Sequence, residues 1–485
     1  MAARLGVFSR FPRTFWVANT LELFERWAWY GLFNVLAIYL TASRDTGALG
    51  FTQEEKGTMM GLVSAMLYFL PVITGSIADK LGYKKVLLLS FGILSTGYLV
   101  MGHLTDYNLV FAAFFYIAVG GALFKPVISA TIAKTTDKDN SSIGFGIFYM
   151  MVNMGALIGP FVASKLRETS WDYVFYLSAA IIALNFVLVL FFYKEPAREK
   201  NDTKLITNIL QALKNIFLAL KDFRFFVFLL LIVGFWSMYF QLFYTLPVFI
   251  DQWVDTRNLY QWLENISPLL AGIFGTTQRT VNPEMILNLD ALYIVLFQVI
   301  ISSIVMRLRP INAMIAGIII ASAGIGLTFM FNNAFFLFLS ILIFAFGEMT
   351  SSPKITEYIG RIAPPDKVGL YMGCSFLPMS GGNFFAGVLS GPVYGTWADK
   401  VFLLQQDMAV RGIDMPALSE SFTQNELFFE AARAYQMTVP ELTEYLWNTY
   451  HPSDIWWLFT GIGLATAFLL FVFDRLLMRS NKGMF

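Results

Sequence analysis

Three ionisable residues fall on one face of an otherwise apolar segment near the start of the chain. Glu22, Glu25 and Arg26 stand at i, i+3 and i+4, and Tyr30 continues that face one turn later. In a low-dielectric surround, two carboxylates beside one guanidinium are not all stable as charges. One carboxyl is therefore expected to bind a proton near neutral pH. Proton coupling needs such a group, because its change of charge is felt by the neighbouring arginine. The alternative is a static salt bridge that fixes the helix. A second cation, Lys125, precedes Pro126 in the middle of another apolar segment. It is expected to face a cavity and pair with Glu22, Glu25 or an anionic substrate group; the alternative is a side chain that snorkels to the interface. Glu348 lies in a third such segment and suits a cationic substrate group. Lys354 and Glu357 are spaced to pair with each other. Asp290 is a lone acid that reads equally as a gate partner or a helix-end residue.

The segments that hold these residues dominate the chain. Of 485 residues, 57% are hydrophobic and only 14% charged, against about 45–50% and about 25% in soluble domains. Mean hydropathy is +0.61. A lone cysteine, Cys374, excludes a disulfide framework. Two histidines, His103 and His451, leave little for a zinc or histidine-based enzyme, and a net charge of +1 leaves no nucleic-acid footprint. No phosphate loop, nucleophile–base pair or metal motif is present in the right context. The expectation is therefore no enzyme, no metal and no cofactor, with H⁺ as the coupling ion.

A spanning helix needs about 20 mostly apolar residues. Twelve segments qualify, near 14–41, 56–79, 84–102, 107–133, 142–164, 173–194, 225–250, 284–306, 311–331, 334–360, 367–395 and 454–478. The runs do not alternate, which excludes a transmembrane barrel. Met1 to Arg13 is basic and lacks a short apolar core before small residues, so the first helix is expected to be retained. Lys and Arg cluster in connections that fall on one side when the segments alternate, which puts both termini in the cytoplasm. The expected location is the inner or plasma membrane.

Residues 1–194 form an N-terminal six-helix bundle in this reading and 225–485 a C-terminal one. The basic connection 195–224 joins them, and apolar residues at helical spacing over Leu205 to Leu220 predict an amphipathic helix on the inner membrane face. The second long connection, 396–453, is an extracytoplasmic insertion with short helices expected over Asn425 to Ala434 and Val439 to Trp447. Six plus six helices joined by a basic loop is the layout of major-facilitator transporters, which are all-α and whose halves rock around a midplane site.

The motifs resemble one family more closely. Glu22-x-x-Glu25-Arg26-Trp27 is similar to the E-x-x-E-R-[FW] string of proton-dependent oligopeptide transporters, and Phe148-Tyr149 through Asn153, Gly155, Ala156 and Leu157 resembles their F-Y-x-x-[IV]-N-x-G-[AS]-L signature. Phe124-Lys125-Pro126, Glu348 with Ser352-Pro353, Phe235-Trp236 with Gln241, and Gly382-Asn383 with Ala386-Gly387 match further segments in order, and Asp79 with Gly82 matches the broader facilitator loop. The resemblance implies a peptide–proton symporter, expected to work as a monomer. It implies proton coupling by Glu22 and Glu25, a substrate carboxylate on Arg26 and Lys125, pocket positions at Tyr30, Tyr68 and Asn153, and a substrate amine on Glu348 with Ser352 close by. Leu32 and Phe33 follow Gly31 where the family has a second arginine, and Phe240 stands where it has an acid. Phe33 and Phe240 are hypothesised to form an apolar gate in place of that ion pair. Ser375 and Val127 replace a usual tryptophan and asparagine, which leaves a carrier of another small organic anion or drug-like compound as the alternative. A non-transporting receptor or assembly subunit is the alternative of a different class, supported only by 396–453.

Overall fold

A segment in hydrocarbon must satisfy its own backbone polar groups, and a helix does so within one segment. Each expected apolar run is helical in the computed structural model, which describes residues 11–137, 140–197, 205–328 and 334–478. The first part of the chain forms α1 (Arg13–Thr41), α2 (Gln53–Phe69), α3 (Pro71–Leu81), α4 (Tyr83–Met101), α5 (Tyr107–Lys134), α6 (Ser141–Arg167), α7 (Trp171–Phe192) and α8 (Leu205–Leu220). Next come α9 (Phe223–Tyr239), α10 (Gln241–Tyr244), α11 (Leu246–Trp253), α12 (Arg257–Ile266), α13 (Pro268–Phe274), α14 (Pro283–Leu287), α15 (Leu289–Val305), α16 (Pro310–Leu327) and α17 (Ala334–Ile362). The last part holds α18 (Val368–Gly373), α19 (Leu377–Val388), α20 (Tyr394–Trp397), α21 (Lys400–Val410), α22 (Gln424–Ala434), α23 (Val439–Tyr450) and α24 (Ile455–Phe473).

Among the described residues, nine helical stretches are long and apolar enough to cross a membrane, and the pair α2–α3, bent by 45°, makes a tenth. The 29-residue α1 is long enough but carries the charged face. The segment expected at 367–395 is built in pieces, with a π turn over Leu389–Val393 around Pro392 between α19 and α20. Proline removes one backbone donor, which accounts for the break there. These elements are consistent with twelve spans. The chain is an all-α, multi-pass membrane protein.

Contacts divide the chain into two compact units. The first comprises the described parts of Met1–Phe33, Val63–Phe226 and Ala363–Ser380; the second comprises those of Asn34–Leu62, Val227–Ile362 and Gly381–Phe485. The units do not follow chain order: the end of α1 and most of the first turns of α2 group with the later helices.

Glycines set the closest helix contacts in each unit. In the first, a Cβ at Gly155 of α6 would lie 2.6 Å from Arg26 Cβ and 2.7 Å from the Leu23 carbonyl, and one at Gly159 would lie 2.5 Å from the Trp27 carbonyl. Helix α6 therefore meets α1 backbone to backbone at the height of the charged face. In the second, a Cβ at Gly57 of α2 would lie 2.3 Å from the Gly387 carbonyl and 2.4 Å from Gly391 Cα.

The connection helix α8 forms over Leu205–Leu220 as its periodicity predicts. It packs on α3 and α18 and leaves Ile206, Leu210 and Phe217 exposed. The insertion is also folded. Its α22 and α23 match the two expected helices, whereas α21 was not signalled. Asp407 of α21 organises the group: it accepts hydrogen bonds from Tyr435 (2.6 Å), Tyr445 (3.0 Å) and Tyr450 (3.0 Å) and pairs with Arg411 (3.0 Å). Burial alone would raise the Asp407 carboxyl, but the hydroxyls and Arg411 hold it below its ordinary range.

Replacing Gly155 by Ala should cost about 1–3 kcal/mol, the usual penalty of forcing a methyl into close packing. The thermal midpoint of the solubilised protein should fall. Gly146→Ala on the same helix, where a Cβ meets nothing within 4 Å, should not lower it.

Candidate functional site

Helix α1 carries its charged face where α6 seals it from water. Glu22, Glu25 and Arg26 are 6%, 1% and 7% exposed. The Arg26 guanidinium is bound to Glu25 through two nitrogens, with Nε 2.6 Å from Glu25 Oε2 and Nη2 on the same oxygen. Glu22 Oε1 lies 3.5 Å from Arg26 Nε. The three residues that the spacing put on one face are therefore one cluster, with Glu25 the principal partner. The Arg26 guanidinium also lies 5.7 Å from the Tyr30 ring. Glu25 Oε1, the oxygen not engaged by Arg26, is buried and finds no donor among the described residues.

Lys125 is the second cation of this unit. Its ammonium lies 4.1 Å from the Tyr68 ring, a cation–π contact. It forms no ion pair with Glu22 or Glu25, although it lies in the field of both and of Arg26. Asn153 turns back on its own helix, donating to the Tyr149 carbonyl at 2.8 Å. Phe33 stacks on Trp29 at 5.1 Å. One hydroxyl escaped sequence reasoning: Tyr98 of α4 is wholly buried, finds no hydrogen-bond partner among the described residues and lies in the field of Glu25.

The second unit holds two acids close together. Glu348 of α17 accepts a hydrogen bond from Tyr239 at 3.0 Å. Asp290 is not a lone acid. It sits in the first turn of α15, 5% exposed, in the electrostatic field of Glu348. Asp290 Oδ1 and Glu348 Oε2 have no donor among the described residues. Ser352 follows Glu348 by one turn and is half-buried. Lys354 pairs with Glu357 at 2.7 Å as its spacing predicts, and Arg361 joins them at 2.6 Å. Phe240 stacks on Trp236 at 5.7 Å.

Lys56 was also missed. It falls at the start of α2, where a charge reads as an interface residue, yet it is wholly buried. Its ammonium donates to the Tyr244 carbonyl at 3.0 Å and lies 5.4 Å from the Tyr394 ring.

The chain is similar to known transporters. A profile of the Major Facilitator Superfamily matches residues 20–278. Dipeptide and tripeptide permease A of Erwinia pyrifoliae is 32% identical over 203 residues, which cover 40% of this chain and 39% of that protein. The match thus spans about two fifths of the relative's length. A POT family transporter solved in complex with 5-aminolevulinic acid superposes with a TM-score of 0.69, covering 96% of both chains at 17% identity. The nucleoside transporter NupG superposes with a TM-score of 0.66, covering 95% of this chain and 99% of its own at 16% identity. At such identities the two structures speak for the fold.

Asp290 lies in the field of Glu348. In a double-mutant cycle on stability, Asp290→Asn and Glu348→Gln should couple by about 1–3 kcal/mol, whereas Asp290→Asn and Glu22→Gln should add within about 0.5 kcal/mol. Additivity of the first pair would show that the two acids do not interact.

Proposed function

The chain belongs to the Major Facilitator Superfamily, and we propose that it is a proton-coupled symporter that imports di- and tripeptides or related small zwitterions by alternating access. One observation carries the reading: Glu25 holds Arg26 with one oxygen while its other oxygen is buried without a donor. A proton arriving at Glu25 Oε1 cancels the charge that holds Arg26. The guanidinium then engages the substrate carboxylate, a geometry it suits as a planar donor fork. Glu22 is the second acceptor that steadies the cluster when Glu25 is neutral. Lys125, over Tyr68 and outside any ion pair with the two glutamates, supplies the second cation. Tyr30, Tyr68 and Asn153 shape the pocket around the carboxylate.

The substrate ammonium goes to Glu348 and Asp290, whose two orphan oxygens need the donors an ammonium brings. Ser352 stands beside them. The cations Arg26 and Lys125 and the acids Asp290 and Glu348 are the types of group that the two ends of a zwitterion need, and the likeness to a dipeptide and tripeptide permease supports a peptide. Phe33 and Phe240 serve as an apolar gate. H⁺ is the coupling ion, the unit of function is the monomer, and both termini lie in the cytoplasm with 396–453 outside. A second reading, another small organic anion or drug-like compound, is favoured by Ser375, Val127, Phe33 and Phe240.

The test is uptake of labelled di-alanine and tri-alanine into proteoliposomes with an inward proton gradient. One proton per zwitterion gives an accumulation ratio approaching about tenfold per pH unit of gradient. Glu25→Gln should abolish accumulation and keep substrate exchange without a gradient. Full pH-driven accumulation by Glu25→Gln would refute the coupling role. Absence of uptake by folded, inserted wild-type protein would move the weight to the second reading. Phe33→Ala with Phe240→Ala should raise labelling of the pocket from outside, and unchanged accessibility would remove the gate.

A further inference from the structure

The helices of the insertion meet the ends of α1 and α11 around a cavity of about 150 Å³. All of its walls belong to the second unit. The first residues of three helices line it: Lys400 opens α21, Gln424 and Asn425 open α22, and Val439 opens α23. Each helix N-terminus carries about half a positive charge. Capping boxes at Thr423 and Thr438 already occupy backbone donors of α22 and α23, so those ends contribute field more than free N–H groups.

A second, independent feature is the Lys400 ammonium. It lies 5.0 Å from the Phe428 ring and 5.7 Å from the Trp253 ring. Among the described residues it has no ion pair and no hydrogen-bond acceptor. An ammonium carries three donors, and two aromatic faces supply none of the acceptors they need. Burial draws Lys400 down to about 8, and the charge of Asp251 draws it back up. Asp251 lines the same cavity. The lining thus offers a cation without a hydrogen-bond acceptor, reinforced by helix ends, together with a carboxylate. The volume is well below the roughly 300–1,000 Å³ of drug-sized pockets, so only a small molecule fits.

We propose that this cavity binds a small zwitterion, an amino acid or short peptide, with its carboxylate on Lys400 and its ammonium toward Asp251. The insertion thereby builds an accessory binding site that shares no residue with the Glu25–Arg26 cluster. Only the ligand class rests on the transport reading; the site itself does not.

The test follows acylation of Lys400 by N-hydroxysuccinimidyl acetate on the full-length protein, read by mass spectrometry of the Lys400 peptide. The probes are di-alanine, N-acetylalanine and glycinamide. At a concentration about four times its Kd, di-alanine should slow Lys400 labelling about fivefold, by simple occupancy. N-acetylalanine, which keeps only the carboxylate, should protect more weakly, and glycinamide should not protect. Asp251→Asn should reduce the protection by di-alanine to that by N-acetylalanine. In Arg26→Gln, or Arg26→Lys should the first misfold, protection should persist. Labelling that no carboxylate probe slows would overturn the proposal. So would protection that disappears with Arg26, because the effect would then be relayed from the central cluster. Failure of uptake in proteoliposomes with protection intact would count against peptide transport and not against this site.

Discussion

The structure of the first unit depends on keeping one guanidinium paired where water is excluded. An arginine buried without a partner costs several kcal/mol, and breaking a buried pair by removing one member typically costs about 3–5 kcal/mol. Arg26 meets this demand within its own helix, through Glu25 one residue before it and Glu22 one turn earlier. The local solution leaves the surrounding helices free to exclude solvent. Helix α6 does so by laying Gly155 and Gly159 directly on the α1 backbone. The glycines and the charges are thus one device: the close contact creates the low dielectric, and the low dielectric makes the charge state of Glu25 matter to Arg26. An anion that offers Arg26 a better partner must compete with Glu25.

The second unit solves the opposite problem. Asp290 and Glu348 come from different helices and are buried together with Tyr239 as the hydroxyl donor. No lysine or arginine pairs with either acid among the described residues. Their unengaged oxygens, Asp290 Oδ1 and Glu348 Oε2, leave spare acceptor capacity for an ammonium.

Much of this was legible in the sequence because hydrocarbon is an unforgiving solvent. Apolar runs of spanning length mark the helices, and charges inside them stand out, which is why Glu22, Glu25, Arg26, Lys125 and Glu348 could be named from residue types alone. Contacts between distant segments were not legible. Asp290 looked solitary because nothing in its own helix pairs with it, and its partner lies on another span. Lys56 was not singled out, because it stands in the first turn of α2, whereas the fold buries it completely. The insertion carried no apolar period strong enough to show α21, and the gathering of three tyrosines around Asp407 joins residues whose spacing is silent. The segment 367–395, read as one span, is built in pieces around Pro392.

The central claim is that substrate and proton bind together through Glu25 and Arg26. It is tested most directly by counting protons taken up when di-alanine binds to the purified protein in weakly buffered solution with a pH-indicating dye. The account predicts uptake of about one proton per substrate bound near neutral pH, and none in Glu25→Gln at substrate concentrations that still saturate it. Saturable binding with no proton uptake by the unaltered protein, or unchanged uptake in Glu25→Gln, would contradict it.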